Sequence, residues 1–420
     1  METIDVAGEW WLPERPEHRV AGWLAYDADK GFQLRLVGRL RDFHEDRTGN
    51  YPRILGDTEK SQFTLEACYR ARYSNVIGDR GTETIRVGQV FRGCWYEPGE
   101  VAGGDSITVR LLHLVHWVKP KGIEVTHPSA GTFTASVTQL PAIELHCPDG
   151  RVSLAQVLGT NGDGQSGYGI EQDVWLVHDA DEVRDARDLL ETTGVVRDVI
   201  SMALDRSASI EAVSVYHPDI EDDGHRERID VFAAWADRGD RVDPKVLAGW
   251  DCLFFFDDVG EVGFQGLLGV GFQWRAELRR VMATLGARGG YNSDRLLNRC
   301  AALESLDRRL HPGERRNFRK RMRALADIAG APFAEVVGDL DDWTRQLKER
   351  RDHVAHHLVL DGPHGGLIDL LMAESAYLLF VLRFLREARM PDTVFDLVLK
   401  SKRVKQIRDL PDVIARQAVR

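Results

Sequence analysis

Between Arg350 and His357 the chain places two arginines, three histidines and an aspartate within eight residues, in the order Arg350, Arg351, Asp352, His353, Val354, Ala355, His356, His357. Imidazole exchanges a proton near neutral pH, and guanidinium carries a permanent charge in a fork matched to phosphate oxygens. That combination suits phosphate chemistry. His353 and His357 stand at i, i+4 with Asp352 and His356 nearby, a spacing that can hold a metal ion for a hydrolase. Without a metal, a histidine can move protons to and from a ribose 2′-hydroxyl or a leaving 5′-oxygen while an arginine stabilises the charge developing on the phosphate. A polar helix end bearing surface histidines is the third reading.

The elements around these residues decide how they can be positioned. Trp343, Leu347, Val354 and Leu358 recur at helical spacing, which predicts an amphipathic helix over residues 339–360. Arg351 is four residues from Leu347 and three from Val354, so it falls at the rim of the apolar stripe, where a charge needs a partner. His356 lies five residues further, about 140° around an ideal helix. The two therefore cannot converge on one phosphate unless the helix end or a second subunit helps. Asp352, at i, i+4 from His356, is placed to hold the imidazole and set its tautomer.

Upstream, Arg308, Arg309, Arg315, Arg316, Arg319, Lys320, Arg321 and Arg323 form a cationic stretch offset within it only by Glu314. Leu310, Phe318, Met322 and Leu325 supply an apolar side, so a helix over 313–328 would present guanidinium groups to a phosphate backbone. Pairing of these cations with the Asp-rich turn at 339–342 is the competing reading. The formal net charge of −11 hides a split: from residue 290 onward 24 Lys+Arg stand against 19 Asp+Glu, leaving 31 against 47 before it. A polyanion partner should meet the C-terminal part.

The length of 420 residues favours two or three domains. Up to about residue 260 the apolar positions alternate in short segments (20–26, 32–40, 62–69, 84–91, 106–118, 131–137, 142–146, 173–177, 210–216, 229–234 and 252–256), interrupted by helical spacing over 181–205. This half should be mainly β, a sandwich or an open barrel-like sheet. From about Val262 the period becomes helical, with candidate helices at 264–285, 293–309, 313–328, 339–360, 368–389 and 393–408, predicting a bundle of four to six helices. The expected fold class is α+β and multidomain: a β-rich region over 1–260, a connecting helix or linker over 261–290, and an all-α bundle over 291–420.

Other motifs carry less. Gly162, Gly164 and Gly167 match a dinucleotide fingerprint by letter, but strand-like Val174–Val177 follows where a helix is needed, so a loop is expected. Glu221, Asp222 and Asp223, and the pair Asp257 and Asp258, lack further ligands at a recognisable spacing. The five cysteines, Cys68, Cys94, Cys147, Cys252 and Cys300, form no Cys-x-x-Cys pair and read as buried free thiols; no cofactor or metal is expected. The N-terminal residues lack a signal-peptide pattern. The apolar run 370–385 contains Glu374, Ser375 and Arg383, so a buried helix, no membrane contact and a cytoplasmic location are expected.

At the His-rich octad the chain resembles the HEPN superfamily, whose signature is an arginine, a polar residue and, a few positions on, a histidine, near the start or end of a helix in an α-bundle. Arg351, Asp352 and His356 fill those positions, with Ala355 as the small residue before the histidine. The N-terminal half, in Gly8, Trp10, Trp11, Leu12 and Pro13, then Gly22, Trp23 and Leu24, Leu34, Leu36 and Gly38, Ile54 and Gly56, and Phe63 and Leu65, resembles the N-terminal domain of ApeA-type anti-phage proteins. The resemblance implies a β-rich sensing domain before a HEPN domain. It also implies a metal-independent endoribonuclease acting on tRNA or other cellular RNA in abortive infection, set off by a phage-derived trigger. The site is often formed between two HEPN domains, so a homodimer or higher homo-oligomer is implied. Arg351 would bind the scissile phosphate, His356 would act as general acid or base and Asp352 would polarise the site, with His353 and His357 as secondary candidates. Arg308, Arg309, Arg315, Arg316, Arg319, Lys320 and Arg323 would hold the RNA backbone. Many members have Asn after the arginine, and Asp352 adds negative charge there. The alternative is a catalytically inactive HEPN adaptor that binds nucleotide or protein partners.

Overall fold

The computed structural model describes residues 4–27, 30–41, 48–74, 81–129, 131–163, 167–233, 247, 251–286, 291–356 and 365–418. Alternating side chains in the first third close a small barrel. Strands β1 (Asp5–Trp11), β2 (Val20–Asp27), β3 (Gly31–Val37), β4 (Asn50–Asp57), β5 (Gln62–Ser74) and β6 (Thr82–Val87) run in the order β5-β4-β1-β2-β3-β6, and β6 pairs back onto β5. Trp10, Leu24, Leu34, Ile54, Phe63, Leu65 and Ile85 point inward and are buried. Gly56 is required here, because a Cβ would come within 2.2 Å of the Trp10 ring.

Closure depends on β5 serving two neighbours. Its first half, Phe63 to Glu66, pairs with β7 (Gln89–Arg92), and its second half, from Tyr69, pairs with β6. The switch occurs at Ala67, which takes a left-handed φ of 52° opposite Gly88, and a register shift follows between Arg70 and Arg72. Beyond β7 the same sheet continues as an open surface through β17 (Ile229–Ala233), β14 (Ile210–Tyr216), β8 (Gly103–Leu111), β13 (Tyr168–Asp185), β12 (Gly150–Gly162) and β11 (Ile143–Cys147). Two small hairpins, β9 (Ile123–Ser129) with β10 (Thr132–Val137) and β15 (Glu221–Asp222) with β16 (His225–Arg226), stand apart. The N-terminal half is thus a closed barrel fused to an open sheet.

Helix α2 (Ala186–Leu204) lies on β8 and β13 and packs on its other side against α3 (Phe256–Gln273) and α4 (Arg275–Gly286). Asp185 caps it by accepting the Arg187 amide at 2.8 Å, and Asp205 ends it in the left-handed region. One continuous core runs from the open sheet through α2 into the helices. Then follow α5 (Asn292–Leu310), α6 (Phe318–Ala329), α7 (Ala331–Val337), α8 (Leu340–His356), α9 (Gly365–Glu387), α10 (Asp392–Leu399) and α11 (Lys402–Ala418). Helix α9 packs against α3, α5, α6, α7, α8 and α11. It is apolar enough to cross a membrane by length and composition, yet it is mostly buried as the centre of the bundle.

Several sequence expectations need correction. The segment 106–118 is not one strand: β8 stops at Leu111, His113 turns into the left-handed region, and Leu114–Val118 forms the short helix α1. Leu114, Trp117 and Val118 are buried, a spacing that fits one helix turn as well as alternation. Residues 252–256 are no strand either. Their apolar side chains fill the core between sheet and bundle, and the Phe254 carbonyl accepts the Trp117 indole N–H at 3.0 Å. The helix expected from 313 begins at Phe318, because Gly313 adopts a φ of 83° and Asn317 caps the new helix through the Lys320 amide at 3.0 Å. Nine helices, α3 to α11, follow Phe255 among the described residues, against the four to six expected. The short α7 and the break at Lys400 and Ser401 account for part of that difference.

Candidate functional site

Helix α8 carries the octad. Asp339 accepts the Asp342 amide at 2.7 Å at its start, and Trp343, Leu347 and Arg350 face the core. The Trp343 indole donates to Ser375 Oγ of α9 at 3.0 Å and meets Phe333 edge to face. The two adjacent arginines separate here. Arg350, 8% exposed, donates to the buried carboxylate of Asp369 and, at 3.2 Å, to the Gly365 carbonyl, so it fastens α8 to the first turns of α9.

Arg351 points instead to the rim between α5, α6 and α8. Its guanidinium stacks 4.4 Å from the centre of the Phe318 ring, donates to Glu304 Oε2 at 3.2 Å and to Asp352 Oδ1 at 2.7 Å, and its side chain stays 26% exposed. Glu304 also receives Arg308 at 3.1 Å. Asp352 takes Lys348 Nζ at 2.6 Å. Partial burial opposes ionisation of Asp352, but Lys348 and Arg351 outweigh it and hold the carboxyl below its usual range. The site is thus a chain of alternating charges, Arg308, Glu304, Arg351, Asp352 and Lys348, at the helix surface.

His356 is exposed on the last residue of α8 and makes no hydrogen bond with Asp352 or Arg351. His353 is half-buried one turn earlier. His357 lies outside the described residues. Arg351 and Asp352 therefore meet directly, whereas Arg351 and His356 do not; five residues of helix set them roughly 7.5 Å apart along the axis. Glu304 and Lys348 belong to this arrangement without a role read from sequence, and Phe318, expected only as part of an apolar packing side, carries the Arg351 guanidinium. Lys348 stands at i, i+4 from Asp352 and was legible in principle; Glu304 and Phe318 come from other helices, and their contacts with Arg351 left no local signal.

The cationic strip is split over the end of α5, the connection and α6, and most of it is paired. Arg309 reaches Glu277 at 3.3 Å, and Arg316 and Arg321 converge on the fully buried Asp307 at 3.2 and 2.8 Å. Arg323 pairs with Asp327 and Asp341, and Arg319 with the Asp341 carbonyl, which is the pairing with the Asp-rich turn weighed above. Arg315 and Lys320 are exposed and have no side-chain partner among the described residues.

Elsewhere, Gly162 sits at the end of β12 and the chain returns as β13, so no helix follows the glycines; residues 164–166 lie outside the described residues. Asp258 caps α3 by accepting the Phe255 amide at 2.7 Å, and Asp257 faces Lys121. All five cysteines are free; four are buried and Cys147 is half-buried.

A small closed barrel joined to an open sheet, followed by a helical bundle with an arginine-centred charge cluster at its rim, defines the class of molecule. Residues 5–265 match the family model described as ApeA N-terminal domain 1, and the chain belongs to that family. The match ends inside α3, and the helical region follows it as in an ApeA-type protein with a HEPN domain. Membership sets the chain in anti-phage defence. No curated protein and no solved structure matches it.

Proposed function

We propose that the chain is a metal-independent RNA endonuclease of the HEPN kind, working in the cytoplasm in abortive infection, with tRNA or other cellular RNA as substrate. The observation that carries this reading is the different placement of the two arginines: Arg350 is committed to the core, while Arg351 is stacked and oriented on Phe318 with its fork at the surface. Arg351 binds the scissile phosphate. His356 moves the proton as the ribose 2′-oxygen attacks phosphorus and the 5′-oxygen leaves, giving a 2′,3′-cyclic phosphate and a 5′-hydroxyl.

Because Arg351 and His356 do not meet within one chain, the working site takes Arg351 from one subunit and His356 from another across a two-fold axis. A homodimer, or a higher homo-oligomer, is the active form. Arg315 and Lys320 hold the RNA backbone first, Arg308, Arg309, Arg316 and Arg323 contribute where phosphate displaces their carboxylates, and Arg319 where it displaces the Asp341 carbonyl. The N-terminal region senses a phage-derived trigger and restrains the nuclease until then.

The test incubates the purified protein with total RNA in excess chelator beside His356→Ala and Arg351→Ala. Cleavage by the wild type alone supports the assignment, and undiminished cleavage by both variants sinks it. A second reading, an inactive HEPN adaptor, draws on one observation: Glu304 and Asp352 already occupy the Arg351 fork. It requires RNA binding without cleavage, and growth inhibition indifferent to His356. A hydrolase using a metal on His353 and His357 requires metal lost on substituting either histidine.

A further inference from the structure

Three metal-ligating side chains meet at the far end of the open sheet, in a place the nuclease reading does not use. Cys147 ends β11, Asp149 lies in the turn to β12, and His178 stands on β13 opposite Val152. Sγ of Cys147, a carboxylate oxygen of Asp149 and a ring nitrogen of His178 all lie within 4.8 Å of one another. His178 Nε2 is 3.5 Å from Asp149 Oδ1. Zinc bonds of about 2.0–2.3 Å place tetrahedral ligand atoms roughly 3.3–3.8 Å apart, so small side-chain adjustments suffice.

The polar atoms at this spot are incomplete as they stand. His178 is fully buried, and neither its ring nitrogens nor Asp149 Oδ1 completes a hydrogen bond of good geometry; their neighbours are each other, the Leu189 backbone and the Cys147 thiol. The other oxygen of Asp149 is held from behind by Arg184 at 2.7 Å and Thr192 Oγ1 at 2.8 Å. That is the arrangement of an outer shell that orients a ligating carboxylate and leaves one oxygen aimed inward. A buried imidazole whose ring nitrogens complete no well-formed hydrogen bond needs an explanation.

We propose that Cys147, Asp149 and His178 bind a zinc-class divalent ion. Thiolate and imidazole donors select zinc over calcium or magnesium. Three protein ligands leave a fourth position, and Asp149, Arg184 and Thr192 also line a cleft of about 980 Å³ between the sheet, α2 and the start of α4. Binding displaces the Cys147 thiol proton to solvent. The ion staples the β11–β12 turn to β13 and, through Thr192, to α2.

The test uses the full chain with its affinity tag removed. Elemental analysis should find one equivalent of zinc, and the metal-stripped protein titrated with Co²⁺ should develop a thiolate-to-cobalt charge-transfer band. Cys147→Ser should abolish that band and weaken zinc binding at least ~100-fold. Cys147 is half-buried, so this near-isosteric change is chosen over His178→Gln, and circular dichroism checks that it folds. Failure of the stripped wild type to bind Co²⁺, or a band that survives in Cys147→Ser, overturns the proposal.

Discussion

Arg403 of α11 directs its Nε at both carboxylate oxygens of Asp205, the residue that ends α2, at 2.6 and 2.9 Å. The same guanidinium reaches Glu374 of α9 and lies over the Tyr377 ring at 4.4 Å. A residue of the family-matched N-terminal region is thereby joined to the last helix of the bundle. Asp205→Asn keeps the left-handed backbone that Asn tolerates and removes only the charge. Denaturant unfolding should show a loss of about 3 kcal/mol, the order found when one partner of a largely buried pair is removed. A loss under about 1 kcal/mol would mean that the junction does not rest on this pair.

The neighbours Arg350 and Arg351 should separate by phenotype. Arg350→Ala leaves the Asp369 carboxylate buried without its partner, and stability should fall by about 3 kcal/mol. Arg351→Ala should change stability by less than about 1 kcal/mol, because its contacts are partly exposed. Its RNA cleavage should nevertheless fall ~100–1000-fold. Parallel melting and cleavage assays check both halves.

Asp352→Asn removes a carboxylate that competes with phosphate for Arg351. Measured on a His356→Ala background to prevent cleavage, affinity for a short RNA should rise about 2–5-fold at low salt, the scale of one partly exposed ion pair. The gain should shrink as salt rises. Weaker binding would instead give Asp352 an organising role.

Buried thiols set the alkaline limit. Burial, opposed by the nearby Arg351 charge, pushes Cys300 up to about 12, and burial likewise pushes Cys94 to about 12 and Cys252 to about 11. Raised folded values mean that stability is fully present below the unfolded pKa near 9 and is lost as pH climbs towards the folded values. Each thiol should contribute a slope approaching ~1.4 kcal/mol per pH unit within that window. Unfolding titrations above about pH 9 should show the decline, and Cys300→Ala should make it shallower.

Periodicity carried the broad organisation. Alternation located β2, β3 and β5, and helical spacing located α5 and α8, because each has one face in a core, whereas α9, buried on all sides, was legible as a long apolar run. What it could not reach was closure: nothing local in residues 62–74 says that one strand pairs with two neighbours, since that depends on the left-handed turn of the backbone at Ala67 and the register shift past Arg70. Apolar runs with both faces buried, such as 252–256, carry no period at all. At the site, the phase of α8 placed Arg351 at a rim correctly. The Glu304 and Phe318 contacts depend on how α5 and α6 pack, and the convergence of Cys147, Asp149 and His178 on strand register.

Helix α2 has a consequence for the chain as it is made. Its N-terminal side rests on strands already synthesised, but its opposite face is covered by α3 and α4, some fifty to eighty residues later. Until those emerge, α2 presents an uncovered apolar side, which invites either a chaperone or a wait. The barrel is complete by then, and α8, with Arg351 and His356, comes later still. A growing chain would thus possess the fold of its first half well before it possesses the residues proposed to cut RNA.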